Sequence, residues 1–171
     1  LNQIEAMVEK LVALRSRKGR LFIIGLGGSA ANASHMVNDM RNLCNIEACA
    51  PTDNIASLTA IANDMGFEYI FSNWLLHSKE CDALMVLSVG GGTVEVSKPI
   101  VNAIDFAKLL GMRVLGIVGR DGGYTAKNAD CCVIIPTVES TRITPHTEAF
   151  QGVVWHCLVS HPKLQIRKTK W

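Results

Sequence analysis

The chain has 171 residues, a formal net charge of +2, 49% hydrophobic residues and only 19% charged residues. This composition excludes an intrinsically disordered protein, and the length favours a single domain over residues 1–171. The charges form no long block of one sign, which argues against a nucleic-acid-binding protein. The low charged fraction predicts that another subunit covers part of the surface.

The sequence predicts neither membrane insertion nor secretion. The longest unbroken apolar part of residues 21–38 is the four-residue run Leu21–Ile24, far short of the roughly 20 residues that cross a bilayer. Residues 1–20 mix acidic with basic residues, unlike a signal peptide. The six cysteines include no CxxC pair, so we expect reduced, mostly buried thiols in a cytoplasmic protein.

In chain order, an amphipathic helix over residues 1–18 comes first, and we expect it to pack in the oligomer. Five apolar runs then predict strands over residues 21–25, 47–50, 83–88, 113–118 and 131–135. Most of these runs are continuously apolar, as strands buried on both faces are. Helical stripes lie between the runs, and another closes the chain. This alternation predicts an α/β fold with a parallel sheet covered by helices on both sides.

The segments on either side of the third strand carry less regular patterns. The stripe formed by Phe67, Ile70, Phe71 and Trp74 predicts a helix before the third strand. After that strand, Pro99 interrupts the expected helical pattern. If Ser97 is the N-cap, Pro99 falls in the first turn, where its missing N–H costs little; the alternative is an irregular first turn.

A glycine-rich loop, residues 25–29 (GLGGS), directly follows the first strand and opens a helix. Gly27 and Gly28 allow close approach of an anion, the helix N-terminus offers free N–H groups, and Ser29 adds a hydroxyl. The loop lacks the third glycine of a dinucleotide fingerprint and the Lys-Ser/Thr of a P-loop. Taken alone, it fits a tight strand-to-helix turn equally well.

A second such loop, residues 88–93 (SVGGGT), follows the third strand. Its hydroxyls flank three glycines, and its members are Ser88, Gly90, Gly91, Gly92 and Thr93. Ligands of open α/β sheets bind at the carboxyl edge of the strands, where both loops lie. Together, the two loops favour a phosphate or sugar-phosphate ligand over plain turns.

Two groups of titratable residues lie on the flanking helices. His35 and Asp39 are four residues apart, so they share a helix face and suit either a divalent metal or a base with its orienting partner. Glu148 and His156 lie eight residues apart on the last helix, about 12 Å of rise. The less specific alternatives are a surface hydrogen-bonded pair and a core histidine.

The chain resembles the sugar-isomerase (SIS) domain family, and within it the phosphoheptose isomerases, which interconvert sedoheptulose 7-phosphate and D-glycero-D-manno-heptose 7-phosphate. The segments that carry the resemblance, in the same order as in the family, are residues 25–35 (GLGGSAANASH), 62–67 (ANDMGF), 87–93 (LSVGGGT), 119–123 (GRDGG) and the helix from Glu148 to His156.

The resemblance implies a three-layer α/β/α sandwich with a five-stranded parallel sheet of the flavodoxin-like type. It also implies a homotetramer with active sites between subunits. The phosphate-binding hydroxyls would fall on Ser29, Ser88 and Thr93, and Asn63 and Asp64 would line the sugar pocket. The metal and acid–base positions would fall on His35, Asp39, Glu148 and His156, with zinc as a possible ion.

The sequence departs from the family at several of these positions. The family's usual asparagine in the first loop is Leu26, and the middle serine of its second loop is Gly90. The catalytic glutamate corresponds to Asp39, one methylene shorter. The metal-site glutamine corresponds to Glu148, if the helices are aligned on His156.

The resemblance implies an aldose–ketose isomerisation through an enediol. Asp39 or Glu148 would be the base and His156 the acid, and a metal at His35 would polarise the carbonyl. Two alternatives stay open. One is a non-catalytic phosphosugar-binding regulator of the type that associates with the bacterial replication initiator. The other is an isomerase for a hexose or pentose phosphate.

Overall fold

The computed structural model describes residues 2–169, and in this part of the chain strands alternate with helices. The five strands are β1 (Leu21–Ile24), β2 (Ala48–Cys49), β3 (Ala83–Ser88), β4 (Arg113–Val118) and β5 (Cys131–Ile134). The six α-helices are α1 (Asn2–Ser16), α2 (Gly28–Cys44), α3 (Ile55–Asp64), α4 (Lys98–Leu109), α5 (Gly123–Asn128) and α6 (Ile143–Val159). Each strand starts within one residue of its predicted start.

The strands form one parallel sheet with the order β2-β1-β3-β4-β5. In this order the chain leaves β1 in one direction to reach β2 and returns on the other side of β1 to form β3. The crevice between the carboxyl ends of β1 and β3 is therefore the topological switch point, where open α/β sheets bind ligands. Both glycine-rich loops start there.

Alternate strand residues point to opposite faces of the sheet, and each face has its own core. On one face, Leu21, Ile23 and Met85 are buried beneath α1, α2 and α6. On the other face, Phe22 and Val86 are buried with α4 and the segment before β3. This arrangement confirms the three-layer α/β/α sandwich, and it puts α2 and α6 side by side on one face.

The segment before β3 differs from the prediction. Instead of one α-helix it forms two short 3₁₀ turns, Phe67–Tyr69 and Asn73–His77. Aromatic residues, Ser and Asn have lower helix propensity than Ala or Leu. Burial of Ile70, Phe71 and Leu75 against the sheet fixes the segment without a continuous helix.

The start of α4 agrees with the first of the two alternatives for Pro99. Ser97 is the N-cap, with a left-handed backbone (φ 63°), and Pro99 is the second residue of the helix. The residues between the second glycine-rich loop and Ser97 are consequently non-helical, and they leave open space at the carboxyl edge of β3.

The six cysteines are free thiols, but they are less buried than expected. Cys44 and Cys131 are buried, Cys157 is exposed, and the other three are intermediate. Burial raises the pKa of the Cys44 and Cys132 thiols to about 12. Within residues 2–169, no helix is both long and apolar enough to cross a membrane.

An ion pair between the buried Asp82 and the partly exposed Arg20 stabilises the amino edge of the sheet. Asp82, which is 2% exposed, accepts hydrogen bonds from the guanidinium of Arg20 at 2.7 Å and from the backbone N–H groups of Arg20 and Lys79. Burial alone raises the pKa of the Asp82 carboxyl, but these hydrogen bonds outweigh burial and hold the pKa below its ordinary value. The Asp82 carboxylate therefore holds together the two segments that lead into β1 and β3.

We expect Asp82→Asn to lower the free energy of unfolding by about 2 kcal/mol at pH 7, because hydrogen bonds to a charged group are lost. A lowered carboxyl pKa contributes stability above about pH 4 and loses it as the pH falls through the folded-state value. The difference between wild type and variant, measured by urea unfolding, should shrink below that pH. Glu95→Gln, on an exposed loop, is the control. Equal stability of Asp82→Asn and wild type at pH 7 would contradict this role.

Candidate active site

Helices α2 and α6 run side by side in the same direction. The Glu148 carboxyl group lies against Gly28 at the start of α2. One turn further on, the Asn32 amide donates to the Gln151 side chain at 2.8 Å. Further still, Asp39 contacts Trp155 and His156. Residue numbers rise together along both helices, so each turn of α6 faces one turn of α2.

Beyond this polar contact, three side chains of the two helices come together. His35, Asp39 and His156 each offer a ligand atom, and all these atoms lie within 4.8 Å of one another. The Asp39 Oδ2 atom is 3.7 Å from His35 Nε2 and 3.5 Å from His156 Nε2. The Asp39 side chain is 5% exposed, whereas those of His35 and His156 are 57% and 53% exposed. A buried carboxylate therefore lies beneath two accessible imidazoles.

The ring of His156 has a defined orientation. Its Nδ1 lies 2.7 Å from the carbonyl oxygen of Gly152, one helical turn earlier. A carbonyl only accepts hydrogen bonds, so Nδ1 carries the proton in the neutral ring. Nε2, which faces Asp39, is left with a free lone pair.

The cluster formed by His35, Asp39 and His156 fits a divalent metal ion. Imidazole nitrogen and carboxylate oxygen are ordinary zinc ligands, at about 2.0–2.1 Å, and two such ligands of a tetrahedral ion lie about 3.3 Å apart. The observed separations of 3.5 and 3.7 Å are close to that value and too long for good hydrogen bonds. The three side chains are thus a possible metal-binding triad.

Glu148 lies apart from the triad. Its carboxyl group lies so close to Gly28 that a Cβ atom on this glycine would clash with it. The amino end of α2, which carries the partial positive charge of the helix, thus faces a carboxylate of the protein itself. Of the four predicted metal and acid–base residues, the structure brings three together and leaves Glu148 two turns away.

Ser29 also has a partner within the protein. The hydroxyl is 1% exposed and accepts a hydrogen bond from the Gln151 amide at 3.1 Å. Gln151, itself fully buried, accepts in turn from Asn32, whose amide also donates to the Glu148 carbonyl at 2.9 Å. This network holds α6 against α2. Gln151 is not among the predicted site residues, although a glutamine on an otherwise apolar helix face is a detectable signal.

The second glycine-rich loop borders a cavity of about 320 Å³ at the carboxyl edge of the sheet. Four predicted phosphate-binding residues, Ser88, Gly90, Gly92 and Thr93, line it. Gly91 is a backbone element: its N–H donates to the Ser88 hydroxyl, and its carbonyl accepts from Thr125. Gly91 has a positive φ of 71°, and a Cβ there would clash with Gly122.

Arg120 lines the same cavity, although it is not among the site residues predicted from the sequence. The residue follows β4 with a left-handed backbone (φ 51°), which is uncommon for an arginine. Asp121 also lines the cavity, but its carboxylate accepts the N–H of Gly123 within the turn. Within residues 2–169, no carboxylate lies within ion-pair distance of the Arg120 guanidinium. The motif GRDGG, residues 119–123, is the sequence feature that could have indicated Arg120 as a site residue.

The remaining predicted residues lie elsewhere. Leu26 is the residue of the first loop that lines the 320 Å³ cavity, whereas Gly27 and Gly28 lie at the amino end of α2. Asn63 and Asp64 end α3, are exposed, and hydrogen-bond to each other at 2.7 Å. They do not line the cavity.

Comparison with known proteins shows the family to which the chain belongs. The family model described as the SIS domain matches residues 1–119. The chain belongs to the SIS domain family. Among curated relatives, a phosphoheptose isomerase from Helicobacter pylori (strain P12) is 31% identical over 165 residues, covering 92% of this chain and 83% of the relative. Another, from Geotalea daltonii, is 35% identical over 147 residues, covering 82% and 74%.

A solved structure is also similar to this SIS domain. The phosphoheptose isomerase from Neisseria gonorrhoeae matches with a TM-score of 0.82 and 27% identity, covering 93% of this chain and 84% of that chain. The resemblance seen in the sequence motifs is thereby confirmed over most of the chain.

We expect Gln151→Met in this SIS domain to lower the free energy of unfolding by about 2 kcal/mol, because Ser29 and Asn32 lose their buried partner. Urea unfolding measures the change. Gln165→Met is the matched control, since Gln165 is half-buried and bonds only the Arg167 carbonyl. If both variants are as stable as wild type, Gln151 does not hold the two helices together.

Proposed function

We propose that the protein is a phosphosugar aldose–ketose isomerase that interconverts sedoheptulose 7-phosphate and D-glycero-D-manno-heptose 7-phosphate through an enediol. The observation that carries the proposal is the cluster of one buried carboxylate and two accessible imidazoles, formed by His35, Asp39 and His156. Such a cluster suits a reaction that moves a proton between two carbons beside a polarised carbonyl. The relatives named phosphoheptose isomerase support this substrate class.

In the proposed complex the phosphate group binds in the 320 Å³ cavity. The loop of Ser88, Gly90, Gly92 and Thr93 provides hydroxyls and a closely approachable backbone, and Arg120 provides positive charge. We assign the anchor to this loop and not to Gly27, Gly28 and Ser29, because a carboxylate faces Gly28 and Ser29 is only 1% exposed, whereas this loop lines the cavity. Binding energy at the phosphate would then position the distant carbonyl end.

The residues of the cluster divide the proton transfers between them. We assign Asp39 as the base that removes the proton from the carbon next to the carbonyl and returns it to the neighbouring carbon. Without a metal, His156 Nε2 moves the oxygen proton, since Nδ1 is committed to the Gly152 carbonyl. With zinc bound, Nε2 would be a ligand, and Lewis-acid polarisation would take the place of that proton transfer. Glu148 lies two turns away, at Gly28, and is therefore not the base in this proposal.

His35, Asp39 and His156 are the residues that would hold a zinc ion, and the ion would supply Lewis-acid polarisation of the substrate oxygens. The two imidazoles are exposed, so a bound substrate has access to the ion from that side. A regulator that only binds a phosphosugar has no use for such a cluster, and this favours the enzyme over that alternative.

We also propose that the protein works as a cytoplasmic homotetramer, as the resemblance implies. On α6, Phe150 and Val153 are each 52% exposed, and they lie on the same helix as the exposed His156. The two residues are three positions apart on the helix and so form one apolar patch, and contiguous apolar patches mark contact surfaces between proteins. A second copy of the chain would cover them and enclose the imidazoles.

We expect wild-type protein to convert sedoheptulose 7-phosphate, as followed by NMR, and Asp39→Asn to lower kcat by about 10³-fold, because a general base contributes about 10²–10⁴-fold. Treatment of wild type with a chelator should lower turnover, and added Zn²⁺ should restore it. Glu148→Gln should keep most of the wild-type kcat.

Asp105→Asn is the matched control for this experiment, because Asp105 is an exposed helix aspartate that accepts the Tyr124 hydroxyl on the other face of the sheet. Normal turnover by folded Asp39→Asn would refute the assignment of the base. Lack of turnover by wild type with heptose, hexose and pentose phosphates would refute the proposed function.

We expect Arg120→Gln to raise KM for the phosphosugar about 10–100-fold with little change in kcat, since a charge-assisted hydrogen bond contributes about 1.5–3 kcal/mol. Steady-state kinetics measure both constants. Arg113→Gln removes the same charge from the opposite edge of the sheet, where Arg113 pairs with Asp130, and should leave KM unchanged. An unchanged KM in Arg120→Gln would exclude Arg120 as the phosphate ligand.

A further inference from the structure

Trp155 makes a buried hydrogen bond to the central carboxylate of the site. Its indole Nε1–H donates to Asp39 Oδ2 at 3.0 Å. Both residues are almost completely buried, with Trp155 2% and Asp39 4% exposed. A buried donor and acceptor at this distance form a full hydrogen bond, and the oxygen involved is the one that faces the two imidazoles.

The same indole also contacts both imidazole rings. Its centroid lies 5.2 Å from that of His35, edge-on at 70°, and 5.0 Å from that of His156. Aromatic rings at these separations stabilise one another and restrict rotation. One side chain thus touches all three members of the triad, although it lies beneath them and is shielded from solvent.

The hydrogen bonds leave Asp39 little freedom. Asn38 donates to Oδ1 at 3.2 Å, and Trp155 donates to Oδ2. An ionised carboxylate has about four lone-pair sites, so the bond from Trp155 fills one on Oδ2 and leaves another directed at His35 and His156. The indole is an uncharged donor that does not ionise near neutral pH, so it orients the carboxylate without adding a charge to the cluster.

We propose that Trp155 is a positioning residue, which holds Asp39 Oδ2 toward the imidazoles of His35 and His156 and so assembles the metal-binding and proton-transfer geometry. The effect of this inference on turnover rests on the proposed function, whereas its effect on metal affinity and on the orientation of Asp39 does not. Trp155 is not a catalytic residue, because it is buried beneath the cluster and does not face the substrate.

The chain offers a matched control in Trp74. This residue lies in the 3₁₀ turn Asn73–His77 on the other face of the sheet, where it packs against the second core. Its buried indole Nε1 has no hydrogen-bond partner among the described residues. Trp74→Phe and Trp155→Phe therefore both delete a buried indole N–H, but only the second deletion removes a hydrogen bond to Asp39.

The first test measures metal affinity without any substrate. Zn²⁺ is titrated into wild type, Trp155→Phe and Trp74→Phe in competition with a chromophoric chelator. Loss of a group that orients a ligand costs about 10–100-fold in metal affinity. We expect that loss in Trp155→Phe and none in Trp74→Phe. Equal affinity in the two folded variants would overturn the proposal.

The second test measures the same variants with sedoheptulose 7-phosphate. We expect Trp155→Phe to lower kcat at least 10-fold at saturating Zn²⁺ while KM changes less than twofold, because the phosphate anchor is untouched. A general loss of folding stability would not separate the two constants in this way. A rise in KM with unchanged kcat would contradict a positioning role at Asp39.

A third measurement covers the case in which Trp155→Phe does not fold. In a ¹H–¹⁵N spectrum of protein with Asp39→Ala, the Trp155 indole N–H loses its acceptor and its signal should move upfield, whereas the Trp74 signal should stay in place. An unmoved Trp155 signal would overturn the inference. If these shifts and the Zn²⁺ result appear but wild type isomerises no phosphosugar, the proposed function fails and the positioning of Asp39 stands.

Discussion

The site depends on one buried charge. The Asp39 carboxylate lies between α2 and α6, and a carboxylate that is removed from water needs hydrogen-bond partners within the protein. Asn38 donates to it from its own helix, and Trp155 donates to it from α6. The carboxylate is therefore satisfied only when the two helices lie in this one alignment, and the packing that completes the fold on this face also assembles the cluster.

Contacts nearer the amino ends of α2 and α6 already fix the alignment of the two helices. Gln151 bonds Ser29 and Asn32 two turns earlier, so α6 cannot slide along α2 without leaving buried polar groups unpaired. The sheet sets the position of α2, because this helix starts directly from β1 at the switch point. The position of the cluster therefore depends on the polar network around Gln151, and that network depends on the placement of α2 by β1.

The sequence was informative wherever the chemistry is local. The apolar runs predicted the strands, and the spacing of His35 and Asp39 placed them on one face of a helix. Contacts between helices were harder to predict. Trp155 and Gln151 fit an apolar helix as core residues, and nothing in their spacing shows that they meet Asp39 and Ser29, because the register between α2 and α6 is a property of the tertiary fold. Arg120 was missed for a related reason: its role depends on the turn after β4 facing the loop after β3.

The alignment of α2 and α6 also affects which phosphosugar fits the site. Along α6, Thr144 lines the 320 Å³ cavity and His156 belongs to the cluster, about 18 Å of helix rise apart. Helical side chains lean toward the amino end of their helix, and α2 and α6 run in parallel, so the imidazoles of both His35 and His156 lean back toward the cavity. A gap nevertheless separates the anion anchor from the proton-transfer groups. In the proposed reaction the carbon chain between the phosphate and the carbonyl must span that gap, so the gap is the feature of the site that would discriminate between sugars of different length.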